Sequence, residues 1–260
     1  MLTEGKLPAN YVRLTDVLRD HFASKRDNYE TSYHEWMDEI EDPEVRGALD
    51  KLRRAPEILE SLSKAYEGRK LVPVPAADEV YVAVDPSKMK GSDIALTNCH
   101  YDGPFKFAPD CGNKFIRVLL SVTENNSVYT TILDETSMLS TLEWNAMDYN
   151  EDYHCVRGQI PPGQIRVLLK IHFMVQNPTS PEWCLQASKF MNERWAFASR
   201  FVMRNTANPQ TAFAKFFAAI INFFTATYLT ANENPATSGI ILLLVLAVIV
   251  AIAYGAKSES

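Results

Sequence analysis

The sequence predicts an α+β protein with an N-terminal helical region, a β domain of the jelly-roll type and a C-terminal transmembrane helix. Three observations predict this. Apolar residues recur at roughly helical spacing up to about residue 71. At Gly68-Arg69-Lys70-Leu71-Val72-Pro73-Val74-Pro75 the pattern changes to short extended runs divided by turn residues, which suits a double-sheet jelly roll. Near the C-terminus, Gly239 to Ala253 reads GIILLLVLAVIVAIA, without one polar side chain. The expected organisation is a helical region at 1–74, the β domain at 75–178, a supporting helix within 179–211 and membrane-associated segments at 212–256.

In chain order, Tyr11, Leu14, Val17, Leu18 and Phe22 mark a first helix, with Thr15 and Asp16 available as early caps. Further helices are expected over Tyr29 to Ile40, Pro43 to Arg53 and Pro56 to Tyr66, because proline fits a first helical turn. His21 and His34 fall in this region outside any ligand spacing and read as helix-surface residues. Candidate strands follow at Glu79 to Val84, Asp93 to Asn98, Phe115 to Thr123, Val128 to Leu133 and Ile165 to Val175. Strand parity assigns Arg166, Leu168, Lys170 and His172 to one face, and Val167, Leu169, Ile171 and Phe173 to the other. On Phe115 to Thr123 the same parity sets Arg117, Leu119, Ser121 and Thr123 against Ile116, Val118, Leu120 and Val122. A helix from Glu182 to Arg204, with Ser180 capping, closes the domain.

The chemistry concentrates in Asn98-Cys99-His100-Tyr101-Asp102-Gly103-Pro104-Phe105, read as a strand end. Side chains two apart on a strand point the same way, so His100 and Asp102 can grip one ion. The third ligand is expected at His154, with His172 the weaker alternative. Two imidazoles and a carboxylate with open positions form the facial set that suits non-haem Fe(II). Beyond it, Pro161-Pro162-Gly163-Gln164-Ile165-Arg166 is a turn feeding a strand that opens with arginine, and an arginine fork can clamp an organic acid. Arg117 is the competing anion clamp.

His100-x-Asp102, then His154, then Gly163 and Arg166 together resemble the Fe(II)/2-oxoglutarate-dependent dioxygenases, most closely the prolyl 4-hydroxylase-like branch. The resemblance covers roughly residues 80 to 175. It implies a double-stranded β-helix, iron held by His100, Asp102 and His154, and 2-oxoglutarate held through its distal carboxylate by Arg166. It further implies O2 as co-substrate and hydroxylation of a C–H bond, with a peptidyl residue among the candidate substrates. In one place the chain departs from the pattern, because Asn125-Asn126-Ser127-Val128-Tyr129-Thr130 stands where many relatives have a Gly-Gly-x-Thr turn. The substrate therefore stays open among peptide, nucleobase and lipid. A scaffolding membrane protein with a metal-free fold of this kind is the rival expectation.

Composition sets further bounds. With 47% hydrophobic and 22% charged residues the 260-residue chain can bury one substantial core. Net charge −6 and pI near 5.5 argue against a nucleic-acid partner, whose phosphates favour a basic surface. Cys99, Cys111, Cys155 and Cys184 lack C-x-x-C spacing, so reduced thiols in a cytosol-like compartment are expected, with Cys99 and Cys155 packing behind the ligands. The N-terminus has no apolar h-region of a signal peptide. Gly239 to Ala253 with its flanks is long enough to cross a bilayer, while Ala212 to Ala231 reads as a second span, an interfacial helix or a core helix. A single-pass C-terminal anchor or a two-helix hairpin would each leave the main domain in the cytosol.

Overall fold

The computed structural model describes residues 2–25, 33–84, 99–103 and 111–207. The chain forms an antiparallel, sheet-rich α+β fold. Among the described residues ten strands form a larger and a smaller sheet: β1 (Thr3–Lys6), β2 (Tyr33–Trp36), β3 (Leu71–Pro73), β4 (Glu79–Val84), β5 (Lys114–Ser121), β6 (Val128–Ile132), β7 (Glu135–Ser137), β8 (Glu143–Asp148), β9 (His154–Gly158) and β10 (Ile165–Val175). The large sheet runs β1-β8-β5-β10-β4-β2, with β3 also pairing β10, and the small sheet runs β7-β6-β9.

The expected parity of the central strands is the organising feature. Val167, Leu169, Ile171 and Phe173 of β10 join Ile116, Val118 and Leu120 of β5 in one apolar cluster. Covering that face are α1 (Val12–Ser24), α2 (Pro43–Leu52) and α3 (Pro56–Ala65), which contribute Leu18, Phe22, Leu49, Leu52, Ile58 and Leu62. Their starts follow from local chemistry. Asp42 caps α2 by accepting from the backbone N–H groups of Glu44 and Val45, and proline occupies the first turn of both α2 and α3. Thr15 does not cap α1: it is buried within the helix, its hydroxyl donating to the Val12 carbonyl. The last described helix, α4 (Glu182–Ala207), packs Leu185 and Ala196 against Phe115, Tyr149 and Met174.

Three expectations need correction. Tyr33–Trp36 is a strand and not part of a helix, because His34 and Trp36 alternate inward and the segment extends the sheet along β4, while the acidic residues after it fall in a 3₁₀ turn, Met37–Glu39. Strands β1, β3, β7, β8 and β9 were not marked by alternation. β8, Glu-Trp-Asn-Ala-Met-Asp, is buried on both faces between β1 and β5 and so carries no period of two. The cysteines are not free thiols: Cys99 pairs with Cys155 and Cys111 with Cys184 across 56 and 73 residues of chain, separations at which spacing is uninformative.

Among the described residues no helix is long and apolar enough to cross a membrane. The segments Ala212 to Ala231 and Gly239 to Ala253, and the expected strand Asp93 to Asn98, lie outside the described residues.

Leu169 has no exposed surface at the centre of the main core. Leu169→Ala is expected to destabilise the protein by about 2–5 kcal/mol in urea unfolding, through lost transfer free energy plus the cavity left behind. A loss below about 1 kcal/mol, the scale of a volume-conserving swap, would contradict its place in that core.

Candidate metal centre

Residues 99–103 reach the small sheet through an isolated antiparallel bridge between His100 and His154, with N–H···O bonds of 2.9 and 3.0 Å in the two directions. The segment is not a strand, so the expected strand-end geometry does not by itself bring His100 and Asp102 together. Instead Gly103 N–H donates to the Tyr149 carbonyl and Trp195 Nε1–H donates to the Asp102 carbonyl, turning the chain so that Asp102 points back beneath the histidines. Gly103 is required at this turn, since a Cβ there would run into Tyr149 and Asn150.

The result is a convergent set. Ligand atoms of His100, Asp102 and His154 all lie within 4.8 Å of one another. His100 Nε2 is 3.6 Å from Asp102 Oδ1, and His154 Nε2 is 3.7 Å from Oδ2. His154 Nδ1 lies 3.1 Å from the Asp152 carbonyl, which accepts its proton and leaves the Nε2 lone pair facing Asp102. Burial pushes the His154 imidazolium down to about 4, against the opposing pull of Asp102. Burial alone would raise Asp102, but Arg117 and the two histidines outweigh it and hold the carboxyl well below the usual range. An anionic carboxylate and a neutral imidazole are the protonation states a divalent metal needs.

Beneath the triad the polar face of the large sheet holds a network of buried charges. Arg117 Nη1 is 2.5 Å from Asp102 Oδ2, an ion pair that satisfies the charge while leaving Oδ2 without an aligned hydrogen bond. Arg117 Nε–H donates to His172 Nε2 at 3.1 Å, Nη2 lies 3.7 Å from Glu79, and the guanidinium rests on the Tyr149 ring. His172 is thereby the Nδ1–H tautomer, 3.3 Å from Asp78, whose other oxygen accepts from Arg53 at the end of α2. Glu79 also binds Lys170 at 3.0 Å and His34 at 3.2 Å. His172 is therefore a support of Arg117 rather than a ligand, and His34 is a buried partner of Glu79 rather than a helix-surface residue. Glu79 and Asp78 had no sequence signal beyond their place at the start of a strand.

Arg166 differs from Arg117. It is 3% exposed, its Nε has no hydrogen-bond partner, and among the described residues no carboxylate pairs with it. Burial pushes it down to about 10, opposed only by Tyr81. A buried guanidinium without an anion is costly, and a bound carboxylate would remove that cost. Asn145 on β8 is a neutral counterpart, fully buried with both amide atoms unpartnered. Sequence reading missed it along with its strand.

No family model matches the chain, and no curated protein does. Several solved structures are similar to it. The non-heme alpha ketoglutarate dependent epimerase SnoN from nogalamycin biosynthesis aligns with a TM-score of 0.48 and 14% identity over 71% of this chain and 82% of its own. A prolyl 4-hydroxylase from Phytophthora capsici gives 0.42 and 15% over 89% and 83%, and one from Pseudomonas putida gives 0.42 and 16% over 67% and 92%. What the centre can hold follows from its own side chains, two imidazoles and one carboxylate.

The depressed His154 fixes a pH dependence. An unfolded histidine titrates near about 6.5, so the unfolded chain takes up the proton first. The stability from the neutral buried ring is present in full above about 6.5 and is lost as pH falls towards 4, by up to about 3 kcal/mol. His172, also lowered chiefly by burial, acts in the same direction. Metal-free protein should therefore lose stability between pH 7 and pH 5 in urea, and His154→Gln should lose less; equal slopes in the two proteins would contradict a neutral His154.

Proposed function

We propose that this chain is an Fe(II)- and 2-oxoglutarate-dependent dioxygenase built on a double-stranded β-helix. The observation that carries the proposal is the convergence of His100, Asp102 and His154 from two separate segments onto one point. The donor set is the two-histidine, one-carboxylate combination of non-haem iron oxygenases, and it lacks the thiolates that would favour zinc. The unpaired Arg166 supports 2-oxoglutarate as the companion ligand, its fork taking the distal carboxylate. Arg117 is already engaged by Asp102, His172 and Glu79, so the clamp is assigned to Arg166 and the orienting of Asp102 to Arg117.

With iron and 2-oxoglutarate bound, the chemistry supplied is oxidative: O2 is consumed, 2-oxoglutarate becomes succinate and carbon dioxide, and one oxygen atom enters a substrate C–H bond. The protein's own part is positional. His100, Asp102 and His154 occupy one side of the ion, Asp152 fixes the His154 tautomer, and Arg117 keeps Asp102 ionised. The burial that lowers His154 also limits water at the centre. Affinity to the prolyl 4-hydroxylase-like branch rests on the order His100-x-Asp102, His154, Gly163 and Arg166, and a peptidyl substrate belongs to that same proposal. Membrane attachment through Gly239 to Ala253 rests on its unbroken apolar run. The two disulfides support an oxidising side of that membrane over the cytosol.

Metal analysis and 2-oxoglutarate turnover test the assignment together. His100→Ala, Asp102→Ala and His154→Ala should each lose iron and iron-dependent 2-oxoglutarate consumption, while His172→Ala keeps its iron. Arg166→Ala should retain iron and bind 2-oxoglutarate at least about tenfold more weakly, the scale of a lost charged hydrogen bond. Wild-type protein that consumes no 2-oxoglutarate with iron present would leave the scaffolding role, and weakening by Arg117→Ala alone would move the clamp to β5.

A further inference from the structure

Cys99 and Cys155 are the immediate chain neighbours of the two ligand histidines, and the structure joins them. His100 and His154 exchange both backbone hydrogen bonds across their bridge, which makes Cys99 and Cys155 the next facing pair. Their Cα atoms are 4.1 Å apart, the close kind of antiparallel pair whose side chains meet. We propose that this disulfide is a site of thiol–disulfide exchange with a dithiol reductant, and that its state sets how firmly His100 and Asp102 are held against His154 and hence how tightly metal is bound. The proposal rests on the metal site assigned to those three residues.

Three observations carry it. First, the two disulfides differ in access: Cys99 and Cys155 are both half-buried, whereas in the second pair Cys111 is half-buried and Cys184, on α4, is 1% exposed. A reductant can therefore attack either sulfur of the pair beside the metal centre but only one of the other pair. Second, Arg157 Nη2 donates a hydrogen bond to Cys99 Sγ at 3.3 Å. Arg157 is two residues beyond Cys155 on β9 and so projects from the same side of the strand. A guanidinium on one sulfur of the pair gives the exchange a direction, because that sulfur departs with a stabilised negative charge. Third, among the described residues the His100–His154 contact is a single bridge, and the covalent link reinforces the register of the two ligand segments beside it.

The exchange balances with a dithiol as the only co-reactant. One thiolate of the reductant attacks Cys155 Sγ, the S–S bond breaks, and its electron pair leaves on Cys99 Sγ beside Arg157. The reductant's second thiolate then attacks the mixed disulfide and releases Cys155. Two electrons pass to the protein, the two protons of the dithiol end on the two cysteines, and the reductant leaves as a cyclic disulfide. With the link open, the segment carrying His100 and Asp102 is held to β9 without a covalent bond, and the metal ligands come from two segments joined by non-covalent contacts.

Cobalt(II) alone is the probe, titrated by its absorption into the full-length protein, before and after treatment with dithiothreitol and anaerobic desalting. Differential alkylation should show Cys99 and Cys155 released while Cys111 and Cys184 remain paired. Cobalt(II) affinity should fall by about tenfold or more, the scale at which groups that orient metal ligands act, and reoxidation should restore it. Cys111→Ser with Cys184→Ser should respond in the same way, and Arg157→Ala should slow the reduction without changing the affinity of the oxidised protein. Unchanged affinity with Cys99 and Cys155 shown to be reduced overturns the proposal, as does release of Cys111 and Cys184 first, or no release of thiols from folded protein. Failure of the metal site itself looks different: the oxidised protein then binds no cobalt(II), or binds it equally well after His100→Ala and His154→Ala.

Discussion

An ionised carboxylate between two sheets has to be balanced within the protein, and Asp102 is balanced by Arg117. The pairing does not end there. Arg117 is held by His172 and approaches Glu79, Glu79 is shared with Lys170 and His34, and His172 leads through Asp78 to Arg53 at the edge of the helical layer. Three acids, Asp78, Glu79 and Asp102, thus meet three bases, Arg53, Arg117 and Lys170, along one buried path. Desolvating so many charges gains little stability over an apolar core of the same volume, but removing any one leaves its partner buried and uncompensated. The network's value is positional, since each group is oriented by the next and the last of them belongs to the candidate metal centre.

That network exists because the large sheet has two unlike faces. The side chains of β5 and β10 that alternate towards α1, α2 and α3 are uniformly aliphatic or aromatic, and they supply the driving force for folding. Those of opposite parity are free of that duty and carry Arg117, Lys170, His172 and Arg166. Stability and chemistry are separated by the period of two of a β-strand, so a register slip of one residue would exchange them wholesale.

The same period explains what could be read in advance. β4, β5, β6 and β10 were legible because alternation and turn residues mark them, and spacing and order picked out His100, Asp102 and His154, which the fold brings together. β2 was obscured by helix-compatible composition, its strand state being imposed by the edge of β4. β8 and β9 were lost for opposite reasons: β8 is buried throughout, and β9 is a short strand whose pattern breaks at Gly158. The disulfides, and the pairing of Glu79 with residues from three other strands, are contacts between distant parts of the chain that no local pattern encodes.

Arg117 and Arg166, on neighbouring strands and the same face, show how placement divides two identical side chains between roles. Arg117 meets carboxylates that the fold itself supplies, so its charge is spent internally and an incoming acid would have to displace Asp102. Among the described residues Arg166 pairs with no such acid, and its desolvation is opposed by Tyr81 and by no carboxylate. Although burial lowers it to about 10, that is still well above neutral pH, so the guanidinium stays charged and its interaction energy is held for a ligand. In the proposed enzyme this makes carboxylate binding strong without any internal ion pair to break, which is the energetic advantage of a preorganised site. It also means that an internal acid placed beside Arg166 would stabilise the empty protein while weakening its hold on 2-oxoglutarate.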